Sequence, residues 1–355
     1  MLEFHLIKQF GAFRLDIASK QEREWLVLLA PSGAGKSLTL NMIAGLERPD
    51  NGFVHLGGET LFDQKQGINL AIRKRRIGYL FQDYALFPHL TVVQNIAYGL
   101  PRGSDREKEV DFWIDFFRLK ERAHAYPRQL SGGQQQRTAL ARTLASGPEL
   151  LLLDEPFSAL DMRTREDMQA EMLRLKQRLK LPVVLVTHDF VEARMLGDRV
   201  AVLDQGRVLE MGDKDWIFTH PKRRFTARFL GIENVLPARV GSQLPEGDYS
   251  VIVGNIPIRM PGDPRFPTGS AAHLCIHAAD VRLLVDRKRR PNTLPGRVEH
   301  IQPTGGTNRV RVRLNDGERP QLWCTVDPYV LGRYSLREGS PVRLFLPTDK
   351  LFLCE

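Results

Sequence analysis

The chain has 355 residues, 42% hydrophobic and 26% charged, with a formal net charge of +9. That length allows two or three domains, and that composition excludes a largely disordered chain. No apolar run approaches the roughly 18 residues a membrane helix needs, so any membrane spans must come from other chains. The start, MLEFHLIKQF, lacks the apolar core and cleavage site of a secretory signal, and a cytoplasmic location is expected. The three cysteines, Cys275, Cys324 and Cys354, form no CxxC pair, so reduced structural thiols are expected rather than a disulfide framework or a zinc site. Residues 236–355 carry 17 Lys+Arg against 12 Asp+Glu, or +5 of the +9. Apart from Arg287-Lys288-Arg289-Arg290 the excess is diffuse. A surface facing anionic lipid or a solvated linker explains it better than nucleic acid, and no nucleic-acid partner is expected.

Apolar alternation at Leu2, Phe4, Leu6 and again at Phe13, Leu15, Ile17 predicts a strand pair at the start. A buried strand follows over residues 25–30. It runs into Ala30-Pro31-Ser32-Gly33-Ala34-Gly35-Lys36-Ser37, and a helix is predicted from Lys36 to about Leu46. Strand, glycine-rich turn and helix are the context a phosphate-binding P-loop requires. Gly33 and Gly35 let the backbone wrap an anion, the first helical amides point at it, Lys36 reaches the outer phosphates, and Ser37 offers its hydroxyl to Mg²⁺. Ala30 stands where the pattern has its first glycine; it ends a strand, where a small side chain suffices.

Ile77-Gly78-Tyr79-Leu80-Phe81 predicts a strand ending at Gln82, whose amide can bind Mg²⁺ or the lytic water. The aromatic-rich segment Tyr84-Ala85-Leu86-Phe87-Pro88-His89-Leu90 follows. Helices are predicted over 105–119 and 162–180. Between them, Leu150 to Leu153 forms a buried strand ending in Asp154-Glu155-Pro156. Asp154 can hold magnesium through water. Glu155, if the P-loop strand is a neighbour, can orient and polarise an attacking water. Val183–Thr187 predicts another buried strand, and His188 at its carboxyl end can hydrogen-bond a γ-phosphate. The alternation implies a largely parallel sheet flanked by helices. After about residue 232 the texture changes to short β-type runs broken by Gly and Pro: 249–253, 273–277, 309–314, 321–326 and 342–346. This predicts a β-rich domain, a small barrel.

Leu130-Ser131-Gly132-Gly133-Gln134-Gln135-Gln136-Arg137 resembles the LSGGQ signature of ABC ATPases. Gln82 then matches the Q-loop, Asp154 and Glu155 the Walker B pair, Ser158-Ala159-Leu160-Asp161 the D-loop, and His188 the H-loop. The resemblance covers residues 1–232. It implies an α/β P-loop NTPase domain, ATP and Mg²⁺ as ligands, and a nucleotide held by Ala30, Pro31, Ser32, Gly33, Ala34, Gly35, Lys36, Ser37 and Leu38. It assigns Glu155, His188 and Gln82 to catalysis, and Ser37, Gln82 and Asp154 to the metal. It also implies a head-to-tail homodimer in which Ser131, Gly132, Gly133 and Gln134 of one copy bind the ATP of the other. The family stacks adenine on an aromatic near the N-terminus; Phe10 and Phe13 are the candidates, with Phe10 preferred because it precedes Gly11.

The tail resembles C-terminal TOBE or Mop domains of importer ATPases, OB-like in fold. Pro295 to Ile301, 309–314, Leu336-Arg337-Glu338-Gly339 and Ala279 to Leu283 are similar to the molybdate-importer subunit. The expected organisation is an ATPase domain at 1–232, a linker and first β segment at 233–290, and a Mop/TOBE-like domain at 291–355. The expected function is ATP-driven molybdate or tungstate import, with two transmembrane permease subunits. An extracytoplasmic oxyanion-binding protein takes part indirectly, and the location is the cytoplasmic face of the inner membrane. Sulfate or thiosulfate, iron, polyamine and sugar importers are the alternatives, as are a non-transport ABC ATPase and an oxyanion-sensing regulator. Thr304-Gly305-Gly306-Thr307-Asn308 reads either as an oxyanion contact or as a plain hairpin turn.

Overall fold

A computed structural model describes residues 1–101, 105–245, 247–284, 290–315 and 320–355; three of the four residues of the basic run Arg287-Lys288-Arg289-Arg290 lie outside the described residues. The chain divides into two compact units, Met1–Asp215 and Trp216–Glu355.

The first unit is built on strands β1 (Leu2–Phe10), β2 (Phe13–Gln21), β3 (Trp25–Leu29), β4 (Asn51–Leu56), β5 (Glu59–Asp63), β6 (Ile68–Asn69), β7 (Ile77–Leu80), β8 (Leu150–Asp154), β9 (Val183–Thr187), β10 (Arg199–Asp204) and β11 (Arg207–Asp213). The helices of six residues or more that lie wholly within it are α1 (Lys36–Ala44), α2 (Val92–Gly99), α3 (Arg106–Phe116), α4 (Gly132–Ala145), α5 (Met162–Arg178) and α6 (Phe190–Leu196). One sheet has the order β6-β5-β4-β1-β2-β11-β10-β3-β9-β8-β7. Residues of β3, β8 and β9 are buried throughout, as expected of central parallel strands covered on both faces. Burial in β1 and β2 alternates instead, the pattern of strands with one buried face.

The expectation of a largely parallel sheet holds for one half only. β10-β3-β9-β8-β7 is parallel; β6-β5-β4-β1-β2 is antiparallel. The difference follows from connection length. Short turns such as the one between Phe10 and Phe13 close hairpins, whereas parallel neighbours need long crossovers. The parallel order puts the carboxyl ends of β7, β8, β9 and β3 side by side. Leu80 pairs with Leu153, Asp154 with Val186, and Leu29 with Thr187.

A short helix, α7 (Lys214–Thr219), spans the division between the units, and α8 (Arg224–Phe229) follows it. The compact division precedes the change in composition at 232 because α8 belongs with the second unit. Ala227 and Ile232 are buried with Val235, Cys275, Phe352 and Cys354, and the backbone of Arg224 donates to Glu355. The second unit continues with β12 (Asn234–Gln243), β13 (Tyr249–Val253), β14 (Ile256–Met260), β15 (Ala271–Ile276), β16 (Arg282–Leu284), β17 (Thr293–Thr304), β18 (Thr307–Leu314), β19 (Gln321–Val326), α9 (Pro328–Arg333), β20 (Pro341–Phe345) and β21 (Phe352–Cys354). Instead of one closed barrel, its described strands form two five-stranded sheets, β14-β13-β12-β15-β21 and β16-β20-β17-β18-β19. Both sheets feed one core that includes Val251, Leu274, Val310, Leu322 and Leu344. The stretch 233–290, expected as a linker with a first β segment, carries β12 to β16. The three cysteines are buried, with the Cys275 and Cys354 sulfurs 3.2 Å apart.

Candidate active site

The P-loop lies between the end of β3 and α1. Gly33 and Gly35 have φ of +80° and +95°, a left-handed conformation that L side chains rarely adopt. A Cβ on Gly35 would also come within 2.5 Å of Leu15 Cδ1, so glycine is required there twice over. The Lys36 ammonium is almost wholly buried. It donates to the Ala30 and Pro31 carbonyls at 2.9 and 3.0 Å and lies 3.7 Å from Glu155 Oε1. Burial pulls its pKa below the usual lysine value, partly opposed by Glu155 and Asp154.

Ser37 donates to Asp154 Oδ1 at 2.9 Å, which joins two residues far apart in sequence at one point. Tyr79 donates to Asp154 Oδ2 at 3.3 Å and to Asn41 Oδ1 at 2.9 Å. Burial raises the Asp154 pKa, opposed by the Ser37 and Tyr79 hydroxyls. Glu155 has φ +43°; its backbone N–H donates to the Val186 carbonyl, and the Ser158 hydroxyl donates to the Glu155 carbonyl at 2.9 Å. These bonds hold the side chain between Lys36 and His188, whose Nδ1 is 3.5 Å from Glu155 Oε2. A non-glycine residue in this region costs of order 1–3 kcal/mol and persists only where its surroundings fix it.

Gln82 is exposed just beyond β7 and lines a cleft of about 760 Å³ together with Asn41, Tyr79, Asp154 and Ser158. The turn after it is left-handed at Tyr84 and Ala85, φ +62° and +43°. Arg142 of α4 clasps this turn, donating to the Tyr84 and Ala85 carbonyls at 3.0 and 2.8 Å. Ser131 caps α4, its Oγ accepting from the Gln134 N–H while Gln134 Oε1 accepts from the Ser131 N–H. A Cβ on Gly133 would meet Thr164 Cγ2 at 2.5 Å. Ser131 to Gln134 do not line the cleft beside Asp154. Asp161 caps α5 by accepting from the Thr164 N–H. Phe13 packs its ring toward Gly35 and Gly206, whereas Phe10 is exposed at the end of β1 with Lys8 Nζ 5.2 Å from its centroid.

Three contributors escape sequence reading: Tyr79, Arg142 and Arg75. Arg75, 2% exposed, donates to the Leu70, Met42 and Ile43 carbonyls and to Asn69. It thereby satisfies carbonyls at the carboxyl end of the P-loop helix, which also favours a cation. In the tail, the Thr304–Thr307 turn closes on itself, Thr304 Oγ1 lying 3.3 Å from the Thr307 carbonyl.

The residues present fit a nucleotide with Mg²⁺. Burial pushes Lys36 and Asp154 toward their neutral forms; a phosphate beside the first and a cation beside the second supply the opposite charge. The oxygens of Ser37, Asp154 and Gln82 are the hard donors that Mg²⁺ takes.

Comparison with known proteins agrees with this geometry. An ABC transporter family model matches residues 17–158. The chain is 40% identical, over 98% of its length and 93% of the relative's, to the sulfate/thiosulfate import ATP-binding protein CysA 2 of Chromobacterium violaceum. This chain belongs to the ABC transporter family. It is also 38% identical to the spermidine/putrescine import ATP-binding protein PotA of Pseudomonas fluorescens, over 94% of this chain and 90% of that one. A solved structure of the ATP-binding cassette MJ0796, dimeric, in a post-hydrolysis state and bound to ADP and Pi, aligns at TM-score 0.51 and 31% identity, covering 60% of this chain and 99% of that chain. As an ABC ATPase the chain binds ATP with Mg²⁺, and its tail, residues 290–351, matches the TOBE domain. The molybdate assignment and the Mop label are not supported: the relatives named import sulfate or thiosulfate and polyamines. Among the described residues no helix is long and apolar enough to cross a membrane.

Proposed function

We propose that the chain is the ATPase subunit of an importer, coupling ATP binding and hydrolysis to uptake of a sulfate-class oxyanion. The observation that carries the ATPase reading is the meeting of Lys36, Ser37, Asp154, Glu155 and His188 at the carboxyl ends of adjacent parallel strands. In this reading the P-loop amides and Lys36 bind the phosphates, and bound Mg²⁺ neutralises phosphate charge. Glu155 orients and polarises the lytic water, His188 contacts the γ-phosphate, and Gln82 holds water or metal at the cleft. Phe10, exposed at the end of β1, stacks adenine.

The Ser131 hydroxyl and the Gly132 amide, at the exposed start of a 14-residue helix, can receive a phosphate. They do not line their own chain's cleft, which supports a head-to-tail homodimer with the second copy completing each site. ATP is then the interfacial glue, and hydrolysis loosens the pair. The segment Tyr84 to Leu90 docks one of two permease subunits at the cytoplasmic face of the inner membrane, and an extracytoplasmic binding protein delivers the solute. The oxyanion is favoured by the sulfate/thiosulfate relative, matched over 98% of this chain; the polyamine reading is favoured by the spermidine/putrescine relative, matched over 94%. The test is ATP hydrolysis by the chain purified with its native permease and binding protein. Stimulation by sulfate or thiosulfate is expected. Stimulation by spermidine alone would replace the solute, and molybdate alone would reinstate the reading from the tail.

A further inference from the structure

Behind Glu155 lies a second, smaller chamber of about 50 Å³, lined by Glu155, Ser158, Arg165, Thr187, His188, Asp189 and Glu192. It is polar and roomy enough for water. Glu192, on α6, is 4% exposed. The Thr187 hydroxyl donates to its Oε2 at 2.5 Å and accepts from the Asp189 N–H at 3.0 Å, so the carboxyl is held at the chamber wall. Arg165 reaches in from α5. One of its nitrogens donates to the Leu160 carbonyl at 3.1 Å, and its Nε is buried without a hydrogen-bond partner among the described residues. A carboxyl and an unsatisfied guanidinium nitrogen thus share one small cavity with the two groups assigned to the chemistry.

We propose that Glu192 is a positioning residue for hydrolysis: from the wall of this chamber its protonation sets the charge that Glu155 and His188 meet, and so the pH range over which ATP is cleaved. This rests on the hydrolytic reading of Glu155 and His188. The groups facing Glu192 are Asp189 and His188 from the turn before α6, Arg165 from α5 and Glu155 from the end of β8. Burial, with Asp189 adding to it, pushes the Glu192 carboxyl up to about 7, against the pull of the Thr187 hydroxyl, Arg165 and His188. Below that value the chamber holds one carboxylate fewer. Above it the Glu192 carboxylate adds one negative charge to the wall of the chamber that Glu155 and His188 share.

The experiment compares the full chain with Glu192→Gln, which stays neutral at every pH. The wild type is expected to show an inflection in kcat near neutral pH that Glu192→Gln lacks, moving the ratio of kcat at low and high pH by about threefold or more. The second readout is thermal unfolding without nucleotide. Because the folded value lies above the unfolded one, the contribution of protonated Glu192 is complete at low pH and lost as pH rises through about 7. The wild-type Tm should therefore fall between pH 5 and 8 by about 3 °C or more beyond any fall in the variant. Should Glu192→Gln not fold, Thr187→Val removes a bond that lowers the carboxyl's pKa, and the inflection should move to higher pH. Wild-type hydrolysis with a pH profile that both variants share would overturn the role of Glu192 alone. Absence of Mg-ATP hydrolysis by the wild type would instead overturn the reading on which it rests.

Discussion

The two units spend their residues differently. In the first, polar groups close to the carboxyl ends of β3, β7, β8 and β9 are held by short, directional contacts: Ser37 to Asp154, Tyr79 to Asp154, Arg142 to the turn after Gln82. In the second, the ordered content is an apolar core shared by two sheets, and the Thr304–Thr307 turn satisfies itself. Chemistry therefore tolerates little change in the first unit, while fold tolerates little change in the core of the second.

The sharpest way to break that comparison is Glu155→Gln. ATP binding should persist and hydrolysis should fall by at least ~100-fold, with little change in Tm, since the carboxylate acts mainly in the transition state. Near-normal turnover would remove Glu155 from the chemistry. The converse variant is Leu344→Ala, at a position with no exposure. It should cost about 2–5 kcal/mol of stability in the second unit, measured by denaturant unfolding, while ATP affinity stays unchanged. Lost nucleotide binding would show that the contrast is false. The smallest expected effect belongs to Arg142→Met, which leaves the carbonyls of Tyr84 and Ala85 without their partner. A loss of about 1–3 kcal/mol is expected, together with lower kcat at an unchanged ATP affinity. Unaltered turnover would confine Arg142 to stability.

What sequence could reveal followed the same division. Residues 30–37, 130–137 and 154–155 are contiguous segments whose role is local: glycines at positive φ, a capped helix start, carboxylates at a strand end. The pair β1–β2, strands β3, β7, β8 and β9 and helices α1, α3 and α5 were legible from apolar runs and periodicity, but β4 to β6, β10 and β11 were not. Pairings such as Asp16 with Arg207 join residues nearly 200 apart. Arg75 lies in the basic run Arg73-Lys74-Arg75-Arg76, in which nothing in the sequence marks one side chain as buried. Its burial depends on the end of α1 packing over it, thirty residues upstream. Glu192 likewise reads as one more acid on a short helix until Thr187 and Arg165 are placed beside it. The tail misled for a related reason. Val298, Val310 and Val312, within the segments similar to a molybdate subunit, are core residues. They report a β fold and carry little information about cargo.

The central claim is that each ATP site is completed by a second copy through Ser131. Its most direct test is the mass of the Glu155→Gln chain by light scattering, at a concentration where the nucleotide-free protein is monomeric. Saturating Mg-ATP should double the mass, and Ser131→Arg should abolish the doubling. A Glu155→Gln chain that binds Mg-ATP yet keeps its monomer mass would contradict the account.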